Sequence, residues 1–167
     1  GFFLDLLKKN PDYLFLPHIL ELPVKNVQHE KNTCVFVQSE GYVLKSTFKA
    51  ELANKKVLSP ILDFSEGVEK QESVFIELGI ELTGSRSLSM KAFSRAAEKQ
   101  AKISLRIREQ TAKCLAELET TDDYAVVLFG RPYNAYPKEA NMAIPKKFAS
   151  RGIRIIPFDS LPYDDEA

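Results

Sequence analysis

Two places in this sequence combine residue types that could do chemistry. The first is Gly130-Arg131-Pro132-Tyr133-Asn134, directly after the apolar run Tyr124-Ala125-Val126-Val127-Leu128-Phe129. Glycine permits a tight turn, arginine can grip a carboxylate or phosphate at two points, and tyrosine can stack on a ring. Downstream, Asn141 suits a helix cap, and the free N–H groups of a helix start favour an anion. Gly130, Arg131, Tyr133, Asn134 and Asn141 therefore form a candidate ligand-binding set for phosphate or carboxylate, as in a CoA ester or a nucleotide. A structural alternative is that Arg131 pairs with Asp159 across neighbouring strand ends while Tyr133 covers the core edge. The pattern is neither a phosphate loop nor a GxGxxG fingerprint.

The second place is Cys34. It sits in Thr33-Cys34-Val35-Phe36-Val37, a short β-branched run that reads as a strand, with Ser39 as the N-cap of a following helix. A thiolate near such a helix start is favoured by the N–H groups and could ligate iron, which makes Cys34 the candidate metal residue. The alternative is a small buried apolar side chain. Cys114, on the apolar face of a long helix, reads as core. Two cysteines so far apart make neither a disulfide framework nor a cluster site by themselves, and they suit a reducing, cytoplasmic setting. His18 and His29 are not at ligand spacing from either thiol. His18 is expected to face solvent or to cap, with a polar group at the cleft as the alternative. No nucleophile elbow, HExxH or carboxylate pair occurs, so no catalytic residue is assigned.

The elements that must position these residues alternate. Residues 2–9 read as helix, stopped by Asn10-Pro11. Tyr13–Leu16 reads as a buried strand ending at Pro17, and residues 24–32 as loop. A helix from Glu40 to about Ala53 carries Leu44, Phe48 and Leu52 on one face. Val57–Leu62 is a strand candidate weakened by Pro60. A helix over 66–79 is expected to stop at Gly79 as C′. After a loop at 83–87, one long helix from Ser89 to Glu119 would extend roughly 45 Å at ~1.5 Å per residue. Tyr124–Phe129 is the strongest strand, Gly130–Asn134 a turn, Asn141–Ser150 a helix ended by Gly152, and Ile153–Phe158 the last strand.

This order predicts an α/β fold: Rossmann-like βαβ units with parallel strands, joined by a helical connector containing one long helix. The expected parts are the end of a first unit over 1–65, the connector over 66–120, and the start of a second unit over 121–167. With no initiator Met, the chain reads as a piece of a longer polypeptide.

Composition narrows the function. Lys plus Arg and Asp plus Glu both total 23, for zero net charge, which argues against nucleic-acid binding. No apolar run reaches the ~20 residues of a membrane span, and no signal peptide is visible. The neutral total hides a pattern. Residues 62–83 hold six acids and one lysine, while 86–113 hold eight bases and two acids. Two solvated, mutually attracting helix faces explain this; so does an anion-binding or partner-docking face on the long helix.

Five motifs in order carry a resemblance: Phe15-Leu16-Pro17-His18-Ile19; Thr33-Cys34-Val35-Phe36-Val37-Gln38-Ser39-Glu40; Leu58-Ser59-Pro60-Ile61-Leu62; Phe129-Gly130-Arg131-Pro132-Tyr133-Asn134; and Asn141-Met142-Ala143-Ile144-Pro145-Lys146-Lys147-Phe148. Nearly all of the chain resembles the dehydratase-like segment of the CoA-substrate-specific enzyme activase-related proteins of the 2-hydroxyglutaryl-CoA dehydratase system. The resemblance implies a non-ATPase scaffold within a putative activator of 2-hydroxyacyl-CoA dehydratases, tied to iron–sulfur electron transfer. It implies partners in the rest of the same polypeptide, including a kinase/Hsp70/actin-type ATPase module; neither nucleic acid nor membrane is expected, from the charge and hydropathy above. Cys34 matches a cysteine that in the family is followed by proline, here by Val35. By the same resemblance, cysteines outside this chain would complete an iron–sulfur cluster, and the chain alone would be catalytically silent. Two other readings stay open: a CoA- or nucleotide-binding module, and a structural interaction domain using the basic helix.

Overall fold

The computed structural model describes residues 2–23 and 32–162, except for the side chains of Pro132 and Tyr133. His29 and Tyr163, and most of the loop expected over 24–32, lie outside the described residues. The fold is mixed α/β, and among the described residues the three strand pairs are parallel, with one isolated antiparallel bridge between Glu21 and Asn32. The chain divides into two compact units, residues 1–97 and 98–167.

In the first unit, helix α1 (Phe2–Lys8) leads through Asn10, which takes a left-handed φ of 51°, into strand β1 (Tyr13–Phe15) and then β2 (His18–Ile19). Helix α2 (Val35–Thr47) crosses over to β3 (Lys56–Leu58) and β4 (Ile61–Leu62). β1 pairs with β3 from Tyr13↔Lys56 to Phe15↔Leu58, and β2 pairs with β4 from His18↔Ile61 to Ile19↔Leu62. The strand expected to end at Pro17 therefore resumes beyond it. Proline has no N–H, so Pro17 and Pro60 each interrupt the ladder without ending it. The backbone bonds Leu16 N–H to Leu58 O, His18 N–H to Pro60 O and Leu20 N–H to Leu62 O, all 2.8 Å, run through the break. Leu14, Leu52, Leu58, Leu62 and Ile76 form the buried core. Phe48 of the expected apolar face packs on Phe3, their ring centres 4.9 Å apart.

The strand expected over 33–37 is a correction. Val35 opens α2, and Cys34, not Ser39, is its N-cap, with extended backbone (φ −57°, ψ 140°). Val35 and Phe36 are 67% and 78% exposed, so this β-branched run finds no sheet to bury it. Ser39 lies inside the helix, its hydroxyl donating to the Val35 carbonyl one turn back.

Gly79 is a second correction. Following a 3₁₀ turn at Glu69–Gln71, helix α3 (Glu72–Thr83) runs through Gly79 and ends at Gly84, whose φ is 69° and whose N–H donates to Ile80 O. Helix α4 (Arg86–Glu119) starts almost at once. Gly79 sits where Ser89 crosses it, and Phe75 stacks on Phe93 at 5.9 Å. Gly79 is small because another helix lies against it, not because a helix ends there.

The second unit holds the C-terminal part of α4, strand β5 (Ala125–Leu128), the single turn α5 (Pro132–Ala135), helix α6 (Ile144–Ala149), strand β6 (Arg154–Pro157) and a 3₁₀ turn at Phe158–Ser160. β5 and β6 pair in parallel from Ala125↔Arg154 to Leu128↔Pro157. Buried polar groups are satisfied within the unit: the Thr111 hydroxyl donates to Ser160 Oγ at 2.8 Å, and Ser160 donates to the Pro157 carbonyl at 2.7 Å. Among the described residues no helix is long and apolar enough to cross a membrane.

Candidate functional site

Each unit places one of the two sequence-derived sites. In the second unit, Gly130 follows β5 at its carboxyl end, the position where α/β folds bind ligands. The turn expected over 130–134 instead closes into α5. A Cβ at Gly130 would stand 3.1 Å from the Ala135 Cβ, so glycine lets α5 fold back over the strand end. Asn141 does not cap α6 directly; Ala143, at a left-handed φ of 57°, is the N-cap. The Asn141 side chain ties the loop together instead. Its amide donates to the Ala135 and Tyr136 carbonyls at 3.1 and 3.3 Å, and its Oδ1 accepts from the Ala143 N–H at 2.9 Å. Gly130, Asn134 and Asn141 line a cavity of about 200 Å³ with Leu128, Phe129, Ala135, Ala140, Met142 and Ile144. Phe129 stacks on Phe158 at its rim, 5.5 Å between ring centres.

Arg131 is exposed, and among the described residues no carboxylate pairs with it. Arg131 does not pair with Asp159; that carboxylate accepts a hydrogen bond from the Tyr136 hydroxyl. Burial first, and then that carboxylate, raise the pKa of Tyr136 well above the ordinary tyrosine value, so it stays a donor throughout the neutral range. The guanidinium of Arg131 is thus left to solvent or to a ligand beside an apolar pocket. The side chain of Tyr133 lies outside the description.

In the first unit, Cys34 is exposed, and its thiol makes no capping bond to α2. Its neighbours hold it tightly. The Thr33 N–H donates to Leu20 O at 2.8 Å, and the Thr33 hydroxyl donates to Ile19 O. Gln38 closes the first turn: its N–H donates to Cys34 O at 3.1 Å and its side-chain amide to Thr33 O at 3.0 Å. Cys114, in the other unit, is half-buried, with Arg154 Nη1 3.8 Å from its sulfur and 2.9 Å from Glu117. Contact with that sulfur, then the Glu117 charge, hold the Arg154 pKa above its usual value. Among the described residues no group of three or more His, Cys, Asp or Glu side chains converges as a metal site.

A family model described as the CoA enzyme activase uncharacterised domain matches residues 1–161. The chain belongs to that family. No curated protein and no solved structure matches it.

The sequence reading of this activase-family domain missed a polar group that, with Ser160, is the most buried among the described residues. His18, expected at the surface, is 1% exposed. It lies between α2 and the interrupted sheet, with one ring nitrogen 2.8 Å from the Gln38 carbonyl and the other 2.9 Å from Ser59 Oγ. Its ring packs on Tyr42 at 4.0 Å. The two proline-interrupted strands, Leu16-Pro17-His18 and Ser59-Pro60-Ile61, pair in parallel with His18 opposite Ile61, and the His18 ring reaches back diagonally to Ser59.

Proposed function

We propose that this domain is the non-ATPase, dehydratase-like scaffold segment of an activator of 2-hydroxyacyl-CoA dehydratases, working in the cytoplasm beside a kinase/Hsp70/actin-type ATPase module of the same polypeptide. In this reading its parallel pairs are parts of Rossmann-like units, and Cys34 is one ligand of an iron–sulfur cluster. The observation that carries the reading is the exposed thiol at the start of α2, unspent on capping, in a domain of the CoA enzyme activase family. The positive end of a helix suits an anionic sulfur. One thiol does not make a site: this chain supplies a single ligand, and the remaining ligands come from elsewhere in the protein or its partner. A bound cluster would supply one-electron transfer; this chain's part is to hold one sulfur at a fixed, accessible point.

The test is iron content and visible absorption of the anaerobically purified full-length activator. Cys34→Ala should lose the brown colour and most of the iron while keeping its far-ultraviolet circular dichroism. A wild-type protein free of iron, or a Cys34→Ala variant with full iron, overturns the assignment.

A second reading has its own observation: Arg131 has no carboxylate partner among the described residues and stands next to an apolar cavity. Such a pairing suits the phosphates of CoA or a nucleotide, with an apolar group in the cavity. Calorimetry with CoA, an acyl-CoA and ATP tests it. Arg131→Ala should weaken binding by about ten- to a hundredfold, the worth of a charge-assisted contact, with unchanged thermal stability because the side chain is exposed. Flat titrations for both proteins remove this reading.

A further inference from the structure

We propose that the outer edge of β3 and β4 is a docking site for an extended segment of a partner protein, one that alternates apolar with basic residues. The inference starts from where the backbone groups of these strands point. In a parallel ladder the N–H and C=O groups of successive residues face alternate sides. The inward ones are fixed by their partners. Lys56 N–H donates to Asp12 O at 3.2 Å, and the carbonyls of Leu58, Pro60 and Leu62 accept from Leu16, His18 and Leu20 at 2.8 Å. Val57, Ser59 and Ile61 therefore turn their N–H and C=O groups outward, and among the described residues no strand pairs with that side. Such a row is a template for one more strand. Proline does not blunt it. The N–H that Pro60 lacks belongs to the inner side, where the Ser59 hydroxyl replaces it by donating to Leu16 O at 2.8 Å. The outer side of the partner strand is less complete, because Pro17 has no N–H to give there and the Thr33 hydroxyl already takes Ile19 O.

The open stretch is bounded, and its surroundings select the partner. The next outward N–H, that of Asp63, is taken by the Gln71 side chain at 3.3 Å. Val57 to Ile61 is left, which about five residues of an added strand would match at ~3.3 Å each. Helix α3 flanks this stretch, and between them lies an open groove of about 290 Å³. Residues 57–60 line one side of it, and Val74, Glu77, Leu78 and Glu81 line the other, at the three- and four-residue spacing of one helix face. A strand laid on the edge would turn every second side chain toward α3. Apolar atoms there would meet Val74 and Leu78, and a cationic end would meet Glu77 or Glu81, whose residues are both exposed. Lys56 feels the Glu81 charge, but its ammonium donates to the Tyr13 hydroxyl at 3.2 Å and lies 5.1 Å over that ring. The same carboxylates argue against a second copy of this chain. Two copies joined edge to edge would bring Glu77 and Glu81 of both to one groove, and like charges repel.

The experiment titrates the full-length protein with a fluorescent, amidated heptapeptide alternating valine and lysine. Anisotropy reads binding, and amide exchange followed by mass spectrometry reads the segment 56–62. Binding should saturate, and at saturation the three outward amides, of Val57, Ser59 and Ile61, should exchange more slowly. The same peptide is made N-methylated at its valines and, separately, at its lysines. One of the two forms should bind at least about tenfold more weakly, because it loses the donors that face the edge. A peptide alternating valine with glutamate should also be weaker by about tenfold. The double variant Glu77→Gln with Glu81→Gln should weaken the valine–lysine peptide by about three- to tenfold, the size of two exposed ion pairs, and should reduce its salt dependence. The N-methylated peptides need no protein variant, so they carry the test if that variant does not fold. Absence of saturable binding, or equal binding of all the peptides, overturns the proposal. So does slow exchange of the three outward amides before any peptide is added, which would mean that the edge is filled from within the protein itself or by a second copy.

Discussion

Gly41→Ala should destabilise the domain, although alanine is the better helix former. In an open helix interior the exchange gains about 1 kcal/mol. Here the new Cβ would stand 2.7 Å from His18 Cε1, 2.8 Å from Nε2 and 3.0 Å from the Leu16 carbonyl. The ring cannot swing away, because both nitrogens are bonded and it is 1% exposed. The carbonyl cannot retreat either, since Leu16 is held in the ladder by its N–H to Leu58 O. Overpacking of this kind costs about 1–3 kcal/mol, which outweighs the propensity gain. Urea unfolding checks it: the midpoint should fall with an unchanged slope. A midpoint that rises would mean that α2 does not press on His18.

Gly79→Ala is the second large effect. An added Cβ would lie 2.5 Å from Ser89 Oγ, 2.6 Å from its Cβ and 3.3 Å from its Cα. The closest atom is a rotatable hydroxyl, but the next two are not. Ser89 is buried and its hydroxyl donates to the Ser85 carbonyl at 2.8 Å, so α3 and α4 must move apart. The expected loss is again about 1–3 kcal/mol. The control is the double variant Gly79→Ala with Ser89→Gly, which removes the opposing Cβ and should recover most of the loss beyond the cost of glycine in α4. Ser89→Ala, which keeps that Cβ, should recover none. Additive single and double effects would show that the two residues are not in contact.

Both glycines show what could be read locally and what could not. Asn10-Pro11 ended α1 and Gly152 ended α6 as their types suggest, because a chain stop depends on the residue's own backbone freedom. Gly79 is the same residue type with a different cause, a neighbouring helix that only the folded chain reveals. The Arg131 loop was legible as a strand-end loop rich in binding chemistry. Whether Asp159 was engaged was not, since Tyr136, its partner, carries no motif. In the charged segments, Lys70 pairs with Glu66 and Lys102 with Glu98, each one turn apart within its own segment.

By itself, the sequence determined the mixed α/β order, the long helix, the four main strand regions and the family resemblance, because periodicity and chain breakers act within a few residues. It also marked Cys34 as the residue with most chemical promise. The tertiary structure alone decided that Thr33–Val37 is a cap and a helix start. A short β-branched run fits either state, and the choice falls to distant acceptors and donors: the Leu20 carbonyl that takes the Thr33 N–H, and the His18 ring that holds the Gln38 carbonyl. It alone placed His18 beside Ser59, since parallel pairing joins residues far apart in the chain, and no local pattern says which two strands will align.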